Sequence, residues 1–232
     1  GAAIAIALGA VRPLAVAGEY AIALGGLIVF ARIFAVLSSV TQEGSLPLLL
    51  GGDAAISFPA IELLQARQPL SVIRIGYVSP HSGGTQASFV SPSALPDRVL
   101  DFSAVSGYLH IGACSQADGA QHRFPVVTAP QLRREGMEAL SQHLKEGERV
   151  YIGLDMNALS LPGDTAGSVS ESESFTYTEL HSILCEIGAR CAIAGMDLVG
   201  LNPLKSGWGV SSMTAVHLLL TALSAAKDQH GR

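Results

Sequence analysis

Short apolar runs alternate with longer mixed segments along most of the chain. The apolar runs predict eight strands, at residues 3–8, 20–24, 46–50, 71–78, 108–112, 124–127, 149–155 and 191–199. The mixed segments predict five helices, at residues 27–42, 54–67, 129–145, 177–187 and 210–227. Near-continuous apolar strands are typical of a parallel sheet that is buried on both faces. Their alternation with helices predicts an α/β fold of three layers, α/β/α, around a mostly parallel sheet.

Local sequence signals mark several helix ends. Thr128 stands before an alanine–proline pair and is a favourable N-cap. Thr176 precedes a glutamate at the third helical position, Glu179, which is the pattern of a capping box. Gly147 and Gly188 stand where glycines commonly end helices. The helices that begin near residues 129 and 177 are therefore predicted by their caps as well as by their hydrophobic pattern.

Two long segments, 79–106 and 156–174, have neither strand nor helix periodicity and are rich in serine and glycine. Each follows a predicted strand at its carboxyl end. Loops of this length inside a compact domain are usually functional or disordered, and open α/β sheets place their ligand sites at the carboxyl ends of the strands. We therefore expect both loops to surround one mouth of the sheet, together with Asp53, which follows strand 46–50.

Composition and charge narrow the classes of function. The chain has 232 residues, of which 49% are hydrophobic and 14% are charged, and its net charge is −5. This length suits one α/β domain spanning residues 1–232. No basic cluster is present, so we do not expect nucleic-acid binding. The apolar run 21–38 carries Arg32, which makes a buried segment of the fold a better interpretation than a membrane span.

Three cysteines, Cys114, Cys185 and Cys191, lack the spacing of a metal-binding motif. Cysteines of this kind are most often small apolar residues of the core in a protein from a reducing compartment. We therefore expect buried, unpaired thiols and a cytoplasmic location.

The segment after strand 46–50 carries the most informative motif. It reads Gly51-Gly52-Asp53-Ala54 and resembles the strand-end motif G-G-D-H of the ureohydrolases, the family of arginase and agmatinase. Two later segments resemble further family motifs in the same order: residues 149–161 match D-x-D-x-x-D-P, and residues 196–203 match D-x-x-E-x-N-P. The resemblance extends over about residues 20–226 and implies an arginase-like fold in a single ureohydrolase-like domain.

The resemblance also implies a dimanganese site, in which a metal-bridging hydroxide attacks a guanidinium carbon. Of the six metal ligands of the family, only Asp155 remains in this register, and Gly200 replaces the glutamate that binds the guanidinium. The other ligand positions are occupied by Ala54, Gly76, Val78, Pro80 and Asn157. One carboxylate cannot hold two metal ions. The resemblance therefore implies a family member that has lost its metal site and has no cofactor.

Polar residues near the strand ends form the candidate site. Asp155 and His81 are the candidate catalytic groups, each as a general base. The candidate pocket residues are Asp53, Ser79, Asn157, Ser160, Asp164 and Trp208. Asp53 and Asp155 also have a structural interpretation, as acceptors for the amides of the loops that follow their strands. Trp208 either stacks on a ligand or closes the rim of the pocket.

Three functions remain open. The favoured hypothesis is a metal-free pseudoenzyme that acts as a structural or regulatory subunit, either as a homo-oligomer (a trimer or hexamer, as the resemblance implies) or with an active relative. The first alternative is a metal-independent enzyme that acts on a small guanidino- or amide-containing metabolite. The second is a conventional manganese-dependent guanidino hydrolase of the agmatinase or arginase type, which requires a different register. A pocket closed by Tyr77, Val78 and Trp208 favours the pseudoenzyme, whereas convergence of Asp155 and Asn157 in an open pocket favours the metal-independent enzyme.

Overall fold

One parallel sheet organises the protein. A computed structural model describes residues 4–9, 19–41, 45–77, 95–112, 124–160, 173–201 and 210–230. Within them seven strands form a sheet in which every pair of neighbours is parallel. The strands are β1 (Ile4–Gly9), β2 (Leu46–Gly51), β3 (Leu70–Ile75), β4 (Val105–Ile111), β5 (Val126–Val127), β6 (Arg149–Asp155) and β7 (Ala192–Val199). Their order across the sheet is β1-β2-β7-β6-β3-β4-β5, which places β6 at the centre.

Helices connect the strands and cover both faces of the sheet. The described α-helices are α1 (Glu19–Val40), α2 (Ser57–Arg67), α3 (Leu95–Leu100), α4 (Ala129–Glu135), α5 (Glu138–Ser141), α6 (Tyr177–Arg190) and α7 (Val210–His230). Two short 3-10 helices, Ala54–Ile56 and Met156–Ala158, follow β2 and β6.

Alternate side chains of the strands enter two separate cores, one on each face of the sheet. Ile73, Ile152 and Leu154 pack with α4, α5, α6 and α7 on one face. Val72 and Tyr151 pack with α1, α2 and α3 on the other face. Burial of both faces explains why the central strands are nearly continuous apolar runs. The expected three-layer α/β/α architecture is confirmed.

The predicted strand at residues 20–24 is wrong, because these residues belong to α1. β1 and β2 are parallel neighbours, and a parallel connection needs a crossover, usually a helix, instead of a tight turn. That requirement overrides the strand-like apolar pattern and carries the helix through Gly25 and Gly26. Among the described residues, no helix has the combination of length and hydropathy that a membrane crossing requires.

Other helix boundaries also differ from the prediction. The helix expected at residues 129–145 divides into α4 and α5 at Gly136, whose φ of +73° takes the chain out of the helix. The short helix α3 lies inside the predicted loop 79–106. Gly188 lies within α6 instead of ending it, and a Cβ at this position would collide with Ala225 of α7. This glycine therefore serves close packing between the two helices.

The capping predictions are confirmed at two helix starts. Thr128 accepts a hydrogen bond from the amide of Gln131 at 3.3 Å. Thr176 and Glu179 form a complete capping box, in which each side chain accepts from the backbone of the other residue. The first turns of α4 and α6 are therefore fixed by residues that lie next to them in the sequence.

The cysteines differ in burial. Cys191 is buried, as expected, but Cys185 is exposed, so the expectation of a buried thiol is wrong for that residue. Cys185 lies on the side of α6 that faces away from the sheet, with Tyr177 and Ala189, which are also exposed. Cys114 lies outside the described residues.

Candidate functional site

The carboxyl edge of the sheet brings together the ends of β2, β7, β6 and β3, which are neighbours in the strand order. Asp53 follows β2, and Asp155 ends β6. Each is the N-cap of a 3-10 helix: Asp53 Oδ1 accepts a hydrogen bond from the amide of Ala55 at 2.8 Å, and Asp155 Oδ1 accepts one from the amide of Asn157 at 3.0 Å. The interpretation of both carboxylates as acceptors for loop amides is confirmed.

Two glycines pack closely against the side chain of Asp155. A Cβ added to Gly76 would lie 3.0 Å from the Cβ of Asp155. A Cβ at Gly200, where φ is +76°, would collide with Asp155 Oδ1 and would lie 2.7 Å from Asn157 Nδ2. The same Nδ2 donates a hydrogen bond to Asp155 Oδ1 at 2.9 Å. Asp155 therefore fills the space that larger side chains at positions 76 and 200 would need.

Two residues before Asp155 on β6, and on the same face of the sheet, three residues of neighbouring strands form a row. Arg74 of β3, Gly153 of β6 and Asp197 of β7 are register partners. Because Gly153 has no side chain, the guanidinium Nη1 of Arg74 reaches across it to Asp197 Oδ1, at 3.1 Å. A Cβ at Gly153 would lie 2.5 Å from that nitrogen. The glycine therefore makes room for an ion pair inside the sheet.

Two hydroxyls complete the hydrogen bonding of Asp197, which is fully buried. Tyr151 OH and Ser57 Oγ donate to Oδ2, at 2.8 and 2.5 Å. Burial raises the pKa of Asp197, while the charge of Arg74 and the two hydroxyls act in the opposite direction. Burial, and then the charge of Asp197, raises the pKa of Tyr151 well above its ordinary value, so the phenol remains a donor. A buried carboxylate with this many partners is a satisfied structural group.

Arg74 faces Asp155 as well, with Nη2 at 3.9 Å from Oδ2. Burial acts to lower the pKa of Arg74, but the carboxylates of Asp197 and Asp155 outweigh it and raise the pKa, so the guanidinium stays charged. Burial raises the pKa of Asp53, and the charge of Arg74 again acts in the opposite direction. The positive charge of the buried Arg74 therefore stabilises three carboxylates near the carboxyl edge of the sheet, those of Asp197, Asp155 and Asp53.

The predicted site residues separate into two groups. Asp53, Asp155, Asn157 and Ser160 lie among the described residues, where Asn157 contacts Asp155 and the amide of Ser160 donates to the carbonyl of Phe175 at 2.8 Å. The remaining candidates lie outside the described residues: Ser79, His81, Asp164 and Trp208. Val78 and Pro80 also lie outside them.

The buried polar row was not predicted from the sequence. Its members, Arg74, Tyr151 and Asp197, lie within strands that otherwise read as apolar runs. An isolated charge in a buried strand is costly unless it is paired. Two such charges of opposite sign, in Val72-Ile73-Arg74-Ile75 and in Met196-Asp197-Leu198, were the available signal for an internal ion pair.

Comparison with known proteins agrees with this fold. A sequence profile of the arginase family matches residues 9–224. The chain belongs to the arginase family. This membership confirms the resemblance on which the ligand register above was based.

Individual relatives agree on the same architecture. Over 215 residues the chain is 25% identical to formimidoylglutamase of Bacillus subtilis (strain 168), a match that covers 86% of this chain and 66% of that protein. The crystal structure of that Bacillus subtilis enzyme superposes with a TM-score of 0.69 at 23% identity, covering 88% of this chain and 67% of the other. A hypothetical agmatinase from Burkholderia thailandensis gives a TM-score of 0.77 at 16% identity, covering 90% and 68%. At these identities the structures show the arginase fold, and the chain spans just under two thirds of the length of its formimidoylglutamase relative.

The described residues of this arginase-family chain do not fit a dimanganese centre. Ala54 and Gly76, at two of the metal-ligand positions, have no ligand atoms in their side chains, and Asp155 already contacts Arg74 and Asn157. In the described part of the chain, no group of three or more His, Cys, Asp or Glu side chains is arranged to hold a metal ion. The guanidinium of Arg74 lies beside the carboxylate of Asp155, and its positive charge also opposes the approach of a manganese ion.

Proposed function

We propose that this member of the arginase family acts without a dimanganese centre, as a structural or regulatory subunit. The observation that carries the proposal is the environment of Asp155, the one retained ligand. Its carboxylate accepts hydrogen bonds from Asn157 and lies 3.9 Å from the guanidinium of Arg74. Arg74 supplies at this edge the positive charge that metal ions supply in a manganese site. Manganese would have to bind beside a cation that the fold holds in place.

A subunit role requires surfaces for partners, and two helices offer apolar residues. About half of the surface of Ile28 and Val36 on α1, and of Met213 and Leu220 on α7, is exposed. We include in the proposal a trimeric or hexameric homo-oligomer, or a hetero-oligomer with an active relative, in the cytoplasm. Light scattering on the purified chain, alone and with an active relative, measures the assembly. A monomer in both samples contradicts this part of the proposal.

A second candidate function is metal-independent catalysis on a small guanidino- or amide-containing metabolite. The observation that favours it is the convergence of Asp155 and Asn157, whose side chains are joined at 2.9 Å at the carboxyl edge. Relatives named formimidoylglutamase and agmatinase suggest formimidoylglutamate and agmatine as test compounds. In this alternative Asp155 is the general base and Asn157 orients it.

Elemental mass spectrometry decides between these functions and a manganese hydrolase. The chain is incubated with excess Mn²⁺, desalted and assayed for metal and for hydrolysis of agmatine, arginine and formimidoylglutamate. We expect no retained manganese and no product. One or two manganese ions per chain contradict the proposal and restore the conventional hydrolase. Product without manganese, abolished by Asp155→Asn, supports the metal-independent enzyme in its place.

A further inference from the structure

A groove between α6 and α7 lies on the opposite side of the sheet from the Arg74 row. Its volume is about 680 Å³, which is in the range of pockets that hold small molecules. The described residues that line it include no Asp, Glu, Lys or Arg. Its titratable groups are Tyr177, His181 and Cys185 of α6 and His217 of α7, and none of them takes part in the site described above.

The three titratable side chains of α6 form a row along the helix. Tyr177, His181 and Cys185 follow one another at intervals of four residues, which places them on one face. Cys185 Sγ lies 3.7 Å from His181 Nδ1. The ring of Tyr177 lies against that of His181, with centroids 6.0 Å apart and planes inclined at 45°, a separation at which aromatic rings attract each other. The row therefore joins a thiol to an imidazole, and the imidazole to a ring that helps to orient it.

A thiol beside an imidazole has the arrangement of an activated nucleophile. The thiolate, and not the thiol, attacks disulfides, and a base within hydrogen-bond reach can take the thiol proton. In the tautomer that carries its proton on Nε2, the Nδ1 atom of His181 accepts the proton of Cys185. Cys185 is exposed, so a reactant can reach its sulfur from the groove.

Cys191 differs on both points. It is buried, and its sulfur lies 3.7 Å from the backbone carbonyl of Lys145, which is no base for a thiol proton. Burial, more than any other cause, raises the pKa of the Cys191 thiol to about 11, so this thiol stays protonated at neutral pH. The chain therefore contains an unreactive thiol with which Cys185 can be compared.

We propose that Cys185 is a modification site at which a low-molecular-weight disulfide forms a mixed disulfide, with the groove holding the attached group. His181 Nδ1 takes the thiol proton, and the Cys185 thiolate attacks one sulfur of the reactant. A new S–S bond forms as the S–S bond of the reactant breaks, and the departing thiolate takes the proton from the imidazolium. The disulfide is the oxidant: Cys185 is oxidised, and the departing half is reduced to a thiol. His181 acts first as a base and then as an acid.

The rate of modification at each cysteine tests the proposal. The full chain is incubated with oxidised glutathione, the remaining thiols are alkylated at set times, and peptide mass spectrometry measures each adduct. At about pH 7 we expect Cys185 to be modified and Cys191 to stay unmodified. His181→Gln should slow the reaction of Cys185 by about tenfold, since an unassisted thiol is only a few per cent thiolate at this pH. His143→Gln, at an exposed histidine outside the groove, is the matched control and keeps the wild-type rate.

The pH dependence distinguishes proton removal from simple access to the thiol. At about pH 9.5 an ordinary thiol ionises without a base, so the rates of the wild-type chain and of His181→Gln should converge. A difference that persists at this pH would mean that His181 only shapes the groove, and it overturns the proposal. Equal rates of the two proteins at about pH 7 also overturn it.

The wild-type chain provides a test that needs no variant. An adduct that forms at Cys185 no faster than at Cys191, or no adduct at Cys185 at all, overturns the proposal. Modification of the buried Cys191 in a variant reports unfolding of that variant, and circular dichroism checks this independently. Because the groove and the carboxyl edge lie on different sides of the sheet, the result does not depend on whether the chain binds manganese.

Discussion

Two neighbouring groups of residues on one face of the sheet contain both glycines and charged side chains, but their arrangements are opposite. In the inner row a glycine, Gly153, lies between the charged residues Arg74 and Asp197. At the carboxyl edge the arrangement is reversed: a charged residue, Asp155, packs against two glycines, Gly76 and Gly200. In both groups, the glycines have no side chain and therefore leave room for a neighbouring polar side chain. In each of these two groups, a glycine beside the buried or half-buried charge leaves space for the charge and its partner.

The largest expected effect comes from breaking the inner ion pair. Asp197→Ala leaves Arg74 buried without its nearest carboxylate, and we expect the free energy of unfolding to fall by about 3–5 kcal/mol. Urea denaturation measures the loss. The double variant Arg74→Met/Asp197→Leu removes both charges and is expected to recover much of the stability. A loss below about 1 kcal/mol in the single variant contradicts a structural role for the pair.

Gly153→Ala tests the space in the inner row. Its Cβ would lie 2.5 Å from Arg74 Nη1, so either the ion pair or the strand must shift, at a cost of about 1–3 kcal/mol. Gly52→Ala is the matched control, because no atom lies within 4 Å of the added Cβ. Thermal unfolding of the two variants compares the sites. Equal melting temperatures would show that Gly153 is not needed for the ion pair.

Gly200→Ala tests the space at the carboxyl edge. The variant combines a left-handed backbone, φ +76°, with a collision against Asp155 Oδ1. Gly147→Ala isolates the backbone contribution, because φ there is +73° and nothing lies within 4 Å of the added Cβ. We expect each to lose about 1–3 kcal/mol from strain, and Gly200→Ala to lose more. If the collision causes the extra loss in Gly200→Ala, the two glycine variants should lose the same stability when each is combined with Asp155→Ala. An unchanged difference between them contradicts this explanation.

The smallest effect is expected outside the sheet, where an exposed polar cluster caps α6. Hydrogen bonds from Arg133, and then from Thr176, lower the pKa of Glu179 from its ordinary 4.5 to about 2. Because the folded pKa lies below the unfolded one, Glu179 contributes stability above about pH 4.5, and this contribution is lost as the pH falls toward 2. Glu179→Gln is expected to cost about 1 kcal/mol at neutral pH.

The pH dependence gives a sharper test of the same cluster. Between pH 4.5 and 2 the wild-type chain should lose stability more steeply than Glu179→Gln, since only the wild type takes up a proton at this position on unfolding. Urea denaturation at several pH values measures both slopes. Parallel curves over this range contradict the lowered pKa. Gln142→Ala, which removes a hydrogen bond to the carbonyl of Ala139 and touches no carboxylate, is the control for surface polar changes.

Local signals in the sequence were sufficient for much of the fold. Six of the predicted strands coincide with β1, β2, β3, β4, β6 and β7 to within a few residues, and the predicted strand at 124–127 contains β5. The caps at Thr128 and Thr176 are correct because a capping residue acts on amides only two or three positions away. The strand at 20–24 failed because the crossover between β1 and β2 is a property of the sheet and not of the local sequence.

The candidate site could be predicted only in part. Asp53 and Asp155 were found because glycines and strand ends mark the carboxyl edge directly in the sequence. The role of Arg74 was missed, because its partners Asp155 and Asp197 are 81 and 123 positions away along the chain. The exposed position of Cys185 was also missed, since the outward face of α6 is fixed only when the helix packs on α7.

By itself the sequence determined most of the strands, the caps at Thr128 and Thr176, the order of the family motifs and the absence of metal-ligand side chains at positions 54 and 76, because each depends on residue type and short-range spacing. Tertiary structure alone decided which charges meet. Strand order brings Arg74, Gly153 and Asp197 into one row, and the packing of α6 on α7 places Gly188 against Ala225. The physical reason is that long-range pairing depends on sheet register and on the space left by glycines, and neither is written in any single segment of the chain.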